Sequence, residues 1–243
     1  MGILSRLKGK KETGRPGCAA VIVAAGSSMR LGEDKLFINI GEMPCIAHSL
    51  LAFENSECIE KIIIVTKPEK IVLMQDVCKD YGITKISDIV RGGDTRGDSV
   101  AAGLDRVGGS EYVAIHDGAR PFVSGEIIEA AYEAAVKYGA AAPGVPVKDT
   151  VKLVSGNTVE TTPDRSRLFA IQTPQIFYTG LIKGALFDAK EKGIALTDDC
   201  SAVEAIGMSV YITPGDYRNI KITTAEDLVL AEALLTLESI YEQ

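Results

Sequence analysis

Small residues and two cations follow the first apolar segment of the chain. Residues 23–35 read VAAGSSMRLGEDK, so Arg30 and Lys35 come just after a run of small residues. In open α/β sheets, ligands bind beyond the carboxyl ends of strands, where small residues let backbone N–H groups close around phosphate oxygens. Two cations beside such a loop suit a reaction at a polyanionic triphosphate. A pair of surface charges is the alternative interpretation.

The loop matches neither of the two common phosphate-binding patterns. A Walker A motif requires GxxxxGK followed by Ser or Thr, and the dinucleotide motif requires GxGxxG. Here Ser27 and Ser28 follow Gly26, so neither spacing is met. The sequence therefore weakens the P-loop NTPase and dinucleotide-binding interpretations.

A second cluster, RGGDTRGDS at 91–99, lies between an apolar segment and a helical segment. Glycines such as Gly92 and Gly93 let the backbone approach a base or a ribose closely. Ser99 either offers its hydroxyl to the base or sits on the first turns of the helix. A plain loop with a helix cap is the alternative.

The third cluster is HDGARP at 116–121. Asp117 offers a hard oxygen ligand that suits Mg²⁺, directly or through a water. We interpret His116 as a packed, hydrogen-bonded histidine, not as a base. The other histidine is His48, and no Ser–His or Cys–His arrangement is visible, which disfavours a hydrolase. Phosphoryl-type transfer fits better, because an anionic phosphate nucleophile has no proton to lose.

Apolar segments alternate with helical periodicity from Cys18 onward. Strands are predicted at 19–26, 59–67, 83–90 and 111–117, and helices at 44–57, 69–81, 95–107 and 126–138, the last capped by Ser124. Continuous apolar strands of this kind are buried on both faces of a mainly parallel sheet. A last helix is predicted at 224–238, with Thr223 and Glu226 spaced as a capping box.

This rhythm breaks between Asp149 and Phe177, where two polar-alternating strands surround a turn at 155–157. Such a hairpin either extends the sheet or projects from it, and exposed edges are usually covered, for example by a second subunit. The sequence predicts a Rossmann-like α/β fold, with a mainly parallel sheet, helices on both faces and a protruding β-arm at about 149–177. Residues 1–17 are expected to form a disordered basic tail, and 18–243 a single domain.

Composition limits the possible partners and location. The net charge is −7 and the sequence pI is near 5.0, which argues against nucleic-acid binding. Five cysteines without CxxC spacing suggest neither a disulfide framework nor a zinc site, so a reducing cytoplasm is expected. No apolar run approaches the ~20 residues of a membrane helix, and no signal peptide is apparent.

Taken in series, the motifs resemble the 2-C-methyl-D-erythritol 4-phosphate cytidylyltransferases of the non-mevalonate isoprenoid pathway, over about 18–235. The matching segments are AAG at 24–26 with Arg30 and Lys35, GGDTRGDS at 92–99, HDGARP at 116–121, VPVKDT at 145–150, DRSRL at 164–168, QTPQ at 172–175, TDD at 197–199 and NIKIT at 219–223. The family's usual second loop glycine is Ser28 here, which concerns only the fine geometry of that loop.

The resemblance implies a magnesium-dependent homodimer that joins CTP and a sugar-alcohol phosphate. It assigns stabilisation of the reacting phosphate to Arg30, Lys35 and Lys221. It assigns nucleotide binding to Ala24, Ala25, Gly26, Ser27, Ser28, Gly93, Asp94, Ser99, Asp117 and Gly118. It assigns the second substrate to Arg120, Thr150, Arg165, Thr173, Thr197 and Lys221, with Thr150 and Arg165 donated across the dimer by the arm.

The sequence leaves three alternatives to this activity open. Ribitol 5-phosphate cytidylyltransferases share the loop, the QTPQ segment and the NIK segment, and perform the same chemistry. A sugar-nucleotide pyrophosphorylase that uses another nucleoside triphosphate shares the loop and a downstream lysine. A nucleotide-binding regulatory module would keep the fold without turnover.

Overall fold

The computed structural model describes residues 14–26 and 34–241 of the 243-residue chain. Its strands are β1 (Cys18–Ala24), β2 (Asn39–Ile40), β3 (Met43–Pro44), β4 (Ile59–Thr66), β5 (Ile86–Arg91), β6 (Tyr112–Asp117), β7 (Ala140–Pro146), β8 (Leu153–Ser155), β9 (Thr158–Thr161), β10 (Phe169–Ile171), β11 (Gln175–Tyr178) and β12 (Tyr211–Pro214). Its α-helices are α1 (Cys45–Glu54), α2 (Ile71–Asp80), α3 (Arg96–Leu104), α4 (Gly125–Tyr138), α5 (Thr179–Glu191), α6 (Asp199–Ala205) and α7 (Ala225–Tyr241).

The main sheet has eight strands in the order β10-β7-β11-β6-β1-β4-β5, with β12 also paired to β7. The neighbours β6, β1, β4 and β5 run parallel to one another, and β12 runs parallel to β7. Strands β10 and β11 are antiparallel to their partners. The predicted mainly parallel sheet is confirmed.

Strand β1 shows why the apolar segments form a buried sheet. Its side chains alternate between the two faces, as in any strand. Ala20 and Ile22 join one hydrophobic cluster, which includes side chains of α1 and α4. Ala19 and Val21 join a second cluster with side chains of α3 and α5. Helices therefore cover both faces, as predicted, and burial of each large aliphatic side chain contributes roughly 1.5–3 kcal/mol.

Helix α4 begins and ends where its sequence predicts. The Ser124 hydroxyl accepts a hydrogen bond from the Ile127 amide at 3.3 Å. Gly139 follows the helix with φ of +88°, a conformation that glycine adopts at little cost. The predicted N-cap is confirmed.

The predicted capping box of α7 is wrong by one residue. The Asp227 carboxylate, not that of Glu226, accepts hydrogen bonds from the amide and hydroxyl of Thr223 and from the amide of Thr224. The helix begins at Ala225, so Asp227 occupies its third position, which is where the partner in a capping box lies.

Strand register brings four loops to one edge of the sheet. Val23 of β1 pairs with Asp117 of β6, and Ala24 pairs with Thr66 of β4. Thr66 in turn pairs with Arg91 of β5. Because these strands are parallel, the loops that follow all four of them lie side by side.

The β-arm is shorter than the range 149–177 suggested. Strands β8 and β9 form a separate antiparallel pair around Gly156, whose φ is +56°. Strands β10 and β11 lie within the suggested range but pair with β7 and β6 of the main sheet. Residues 153–161 therefore make up the exposed hairpin, because the later strands complete the sheet.

The expected N-terminal tail at 1–17 includes residues that contact the domain. Arg15 forms an ion pair with Glu129, and the Tyr132 hydroxyl donates to the Pro16 carbonyl at 2.6 Å, so Arg15 and Pro16 contact α4. Residues 1–13 of that expectation lie outside the described residues. In the part of the chain that is described, no helix is long and apolar enough to cross a membrane.

Candidate active site

A cleft of about 660 Å³ opens at the carboxyl ends of β1, β4, β5 and β6. Its charged lining residues, within the described ranges, are Lys35, Lys67, Glu69, Arg91, Asp94, Arg96, Asp117 and Lys221. Five of these are cationic and three are anionic, although the chain as a whole has a net charge of −7. The cleft is thus locally positive in an acidic protein, and this favours an anionic ligand.

The phosphate loop predicted after β1 lines this cleft as far as the structure describes it. Residues 24–26 and Lys35 are all part of the lining. Arg30, Ser27 and Ser28 lie outside the described residues. The described part of the loop agrees with the prediction that small residues expose backbone at the carboxyl edge.

The glycines at 92–93 allow the second predicted loop to pack against the first. A Cβ on Gly92 would lie 2.5 Å from the Cβ of Ala25, and one on Gly93 would lie 2.3 Å from the Cβ of Asp98. Neither distance is possible between carbon atoms without a shift of the backbone. Both positions, together with Asp94 beside them, form a wall of the cleft.

Ser99 lines the cleft, but the loop itself uses its hydroxyl. The hydroxyl donates to the Thr95 carbonyl at 3.0 Å and accepts from the Gly93 amide at 3.1 Å. Thr95 also caps α3 by accepting from the Asp98 amide. The sequence left two roles open for Ser99, contact with a base or a structural place at the start of the helix, and the structure favours the structural place.

Asp117 is the centre of a charged cluster at the end of β6. Its Oδ2 lies 2.8 Å from Lys221 Nζ and 3.9 Å from Arg120 Nε, and its Oδ1 lies 3.5 Å from Arg96 Nη2. Burial raises the pKa of this carboxyl, but the charges of Lys221 and Arg96 outweigh burial and lower the pKa to about 2. Asp117 is therefore ionised at neutral pH.

Arg96 is a cleft residue to which the sequence reasoning gave no role. Its Nη2 lies 2.7 Å from Asp199 Oδ2 and 3.5 Å from Asp117 Oδ1. Burial lowers the pKa of Arg96, but the two carboxylates outweigh burial and hold it above its ordinary value. The signal in the sequence was its position in a glycine-rich loop after a predicted strand.

His116 is a structural residue, as predicted. Its ring is fully buried, its Nδ1 lies 3.0 Å from the Thr173 hydroxyl, and its Nε2 lies 3.4 Å from the Arg120 carbonyl. Burial lowers the pKa of His116 to about 3, so the ring is neutral. The Thr173 hydroxyl also accepts from the Asp117 amide at 3.1 Å, which fixes the backbone beneath the carboxylate.

Hydrogen bonds hold the segment that carries Lys221 close to Asp117. The Asn219 amide nitrogen donates to the Thr173 carbonyl, and Arg120 donates to the Asn219 carbonyl at 2.6 Å. Lys221 itself lines the cleft. The segment after β12 therefore brings a lysine to a site that lies mostly on earlier strands.

Six of the described residues predicted for the site do not line the cleft. Arg120 and Thr173 contact Asp117 from beside the cleft. Gly118 is buried behind it, where a Cβ would meet Ile46 at 2.7 Å. Thr197 is exposed just before α6. Thr150 and Arg165 are exposed at the base of the arm, and Arg165 donates to a backbone carbonyl at position 148.

Comparison with known sequences identifies one family. The family model of 2-C-methyl-D-erythritol 4-phosphate cytidylyltransferase matches residues 18–237. The Geobacillus kaustophilus protein of that name is 45% identical over 218 residues, covering 89% of this chain and 96% of the relative. The Caldanaerobacter subterraneus protein of that name is 48% identical over 222 residues, covering 89% of this chain and 98% of the relative.

Solved structures agree with the sequence comparison. The 4-diphosphocytidyl-2C-methyl-D-erythritol synthase of Anaerococcus prevotii superposes with a TM-score of 0.83 at 32% identity, covering 91% of this chain and 96% of that one. The Thermus thermophilus cytidylyltransferase superposes with a TM-score of 0.71 at 31% identity, covering 89% of this chain and 98% of that one. This chain belongs to the 2-C-methyl-D-erythritol 4-phosphate cytidylyltransferase family.

Proposed function

We propose that this enzyme transfers CMP from CTP to 2-C-methyl-D-erythritol 4-phosphate, forming 4-diphosphocytidyl-2-C-methyl-D-erythritol and pyrophosphate. Family membership supports the reaction. The observation that carries the proposal is the cluster of cationic side chains at the carboxyl edge of the sheet. A volume of about 660 Å³ suits a nucleotide, since ligand clefts measure roughly 300–1,000 Å³.

The chemistry needs positioning and charge neutralisation more than proton transfer. A phosphate oxygen of methylerythritol phosphate forms a bond to the α-phosphorus of CTP, while the bond from that phosphorus to the bridging oxygen breaks and pyrophosphate leaves. The nucleophile is already an anion, so no general base is required. This agrees with the neutral, buried state of His116.

Three cations are proposed to offset the charge that accumulates on the reacting phosphate: Lys35, Lys221 and Arg30. Lys35 and Lys221 line the same cleft, and Arg30 follows the same loop. Arg96 is proposed as a fourth cation, because its guanidinium lines the cleft and is held by buried carboxylates. Fixed charges of this kind stabilise a transition state without reorganisation.

The cytidine moiety is proposed to lie between the two glycine-containing loops. The proposed nucleotide contacts are Ala24, Ala25, Gly26, Ser27, Ser28, Gly93, Asp94, Ser99, Asp117 and Gly118. The close packing of Gly92 against Ala25 supports this, because it leaves backbone rather than side chains along the wall. For Ser99, the support is indirect, through its hydrogen bond to the Gly93 amide.

Mg²⁺ is proposed as the cofactor, with Asp117 as its protein ligand, directly or through a water. Among the described residues, no group of three or more His, Cys, Asp or Glu side chains could hold a metal ion. Mg²⁺ is usually bound by one or two carboxylates together with substrate phosphates, so one ionised carboxylate fits that mode. When bound, the ion would neutralise phosphate charge.

The second substrate is proposed to bind between Lys221 and the arm of a second subunit. Arg120, Thr173 and Thr197 are proposed to complete this pocket, while Thr150 and Arg165 would come from the partner. The arm supports a dimer, because Leu153, Val154 and Val159 are apolar and each more than half exposed. Apolar side chains on an exposed edge favour association with another chain.

A cytoplasmic location is also proposed. All five cysteines are free and buried, which suits a reducing compartment. This proposal is independent of the substrate.

Pyrophosphate release with a panel of substrates tests the activity. Purified protein is assayed with CTP, ATP, GTP or UTP, each with methylerythritol phosphate or ribitol 5-phosphate, with and without Mg²⁺. We expect turnover with CTP and methylerythritol phosphate that requires Mg²⁺. Turnover of CTP with ribitol 5-phosphate but not with methylerythritol phosphate would indicate a ribitol 5-phosphate cytidylyltransferase instead. Turnover with a nucleotide other than CTP would indicate a sugar-nucleotide pyrophosphorylase. CTP binding without any product would indicate a regulatory module.

A further inference from the structure

A buried aspartate outside the cleft holds one of the cleft cations. Asp199 is the first residue of α6, its side chain is 1% exposed, and its Oδ2 lies 2.7 Å from Arg96 Nη2. We propose that Asp199 is a positioning residue that keeps the Arg96 guanidinium directed into the nucleotide cleft. This inference rests on the proposed binding of CTP in that cleft.

Asp199 is anchored through its backbone, while its side chain contacts Arg96. The amides of Asp199 and Cys200 both donate to Gln175 Oε1 at 3.0 Å, and Gln175 Nε2 donates to Asp198 Oδ2 at 2.8 Å. Gln175 is buried and belongs to β11, next to β6 in the main sheet. The Arg96 guanidinium is therefore connected to the sheet through Asp199, which lies 103 positions later in the chain.

The carboxylate is too deeply buried to be an incidental partner. Burial raises the pKa of Asp199, while the charge of Arg96 opposes that rise. An ionised carboxylate in such a place is costly unless it is paired and hydrogen-bonded. Asp199 thus depends on Arg96 to stay ionised, while Arg96 is charged in either case.

The geometry also separates Arg96 from Lys221. The same Nη2 atom of Arg96 lies 2.7 Å from Asp199 and 3.5 Å from Asp117. Lys221 forms the closer contact with Asp117, at 2.8 Å. Without Asp199, the guanidinium would move onto Asp117 and compete with Lys221. Asp199 therefore sets the spacing of two cations that are proposed to contact phosphate groups.

The test compares Asp199→Asn with the wild-type enzyme in two measurements: equilibrium binding of CTP by calorimetry and steady-state pyrophosphate release. The variant keeps the size of the side chain and removes its charge. We expect kcat/KM for CTP to fall by roughly 10- to 100-fold, because a displacement of about 1 Å in a positioning group has effects of that order. Weaker CTP binding should accompany the loss.

Glu204→Gln is the matched control. Glu204 lies on the same helix with an exposed side chain, and the structure shows no contact between Glu204 and Arg96 among the described residues. This change also keeps the size of the side chain and removes its charge. The control should keep kcat/KM within about threefold of wild type. Equal losses in the two variants would mean that removing a negative charge from the helix is enough to cause the effect, and would overturn the proposal.

A double-mutant cycle separates positioning from general destabilisation. If Asp199 acts through Arg96, then Asp199→Asn should have little further effect on CTP affinity once Arg96→Gln is present. Independent effects would contradict the proposal. The double variant replaces the Arg96–Asp199 ion pair with two neutral amides, so it provides a comparison if either single variant unfolds at a lower Tm.

Failure of the proposed reaction would be recognisable in the same experiment. If wild-type protein binds CTP but transfers nothing to methylerythritol phosphate, the activity proposal fails while the binding cycle still reports on Asp199. If wild-type affinity for CTP is unchanged by Asp199→Asn, the positioning role is refuted whatever the second substrate.

Discussion

Gly93→Ala is expected to impair nucleotide use by pushing two segments of the cleft wall apart. The added Cβ would lie 2.3 Å from the Cβ of Asp98 and 3.1 Å from its carbonyl carbon. Carbon atoms in favourable contact are ~3.5–4.0 Å apart, so the segments must separate by about 1 Å. The hydrogen bond from the Gly93 amide to Ser99 Oγ, 3.1 Å long, would then exceed the usual limit.

This displacement has two measurable consequences. Overpacking of this kind typically costs about 1–3 kcal/mol, so the Tm should fall by several degrees. A shift of about 1 Å in a positioning loop can cost ~10²-fold in rate, so we expect kcat/KM for CTP to fall by roughly that factor. The assay is pyrophosphate release at varied CTP, with the Tm measured on the same samples.

Gly97→Ala is the control for the glycine substitution. It lies four positions further on, in the first turn of α3, where the nearest atom to an added Cβ is Thr95 Oγ1 at 3.8 Å. That distance is an ordinary contact, so this variant should retain activity within about twofold and gain a little helix stability. Near-wild-type kcat/KM for Gly93→Ala would refute the argument that the cleft wall depends on close packing at this glycine.

Three further predictions concern charge. Lys35→Ala and Lys221→Ala should each lower kcat by roughly 10²–10³-fold in the pyrophosphate assay, the loss seen for single oxyanion donors, and near-wild-type turnover in both would contradict their assigned roles. The pKa of His116 is about 3 in the folded protein, below the ~6.5 of an unfolded chain, so the unfolded state binds more protons between pH 3 and pH 6.5. The free energy of unfolding should therefore fall as the pH drops from ~6.5 towards 4, by at most about 1.4 kcal/mol per pH unit. His116→Gln should flatten this pH dependence, measured by urea titration. Mixing the inactive Arg165→Ala and Lys35→Ala variants should restore roughly a quarter of wild-type activity if each arm serves the site of the partner subunit. Half of the dimers are then mixed, and each mixed dimer has one complete site out of two. If no activity returns although subunit exchange is verified, the arm and the cleft of each site belong to the same chain.

The fold could be predicted from the sequence where a local pattern determines it. The apolar segment at β1 is buried on both sides because its neighbours β4 and β6 are similar strands, and the Ser124 and Gly139 signals mark the ends of α4. Helices α5 and α6 were not predicted. Helix α5 contains Gly180 and Gly184, which weaken helix propensity, and α6 has only seven residues.

The carboxyl edge of the site could also be predicted, because parallel strands place their following loops together. The ion-pair partner of each charged residue at this edge could not be predicted. Arg96 and Asp199 lie 103 positions apart, and Asp117 and Lys221 lie 104 apart. Their pairing depends on where β11 and the segment after β12 return to the sheet, and no local spacing encodes that return. The sequence therefore predicts Lys221 and Asp117 as site residues but not their pairing, and it gives no role to Arg96 or Asp199.

Those carboxylates bear on how the cleft can bind a triphosphate. Lys221 is paired with Asp117 and Arg96 with Asp199, so carboxylates of the protein itself set the positions of both cations. Lys221 is the more exposed of the two, with 39% of its side chain accessible against 32% for Arg96. Its partner Asp117 is also less deeply buried than Asp199, with 12% of the side chain exposed against 1%. We therefore expect Lys221 to exchange Asp117 for a phosphate oxygen more easily than Arg96 exchanges Asp199, which is almost fully buried. Arg96 would then offer a phosphate only its remaining N–H groups. If the proposed function is right, such a division would let one cation hold the nucleotide while the other follows the change of charge as the new bond forms.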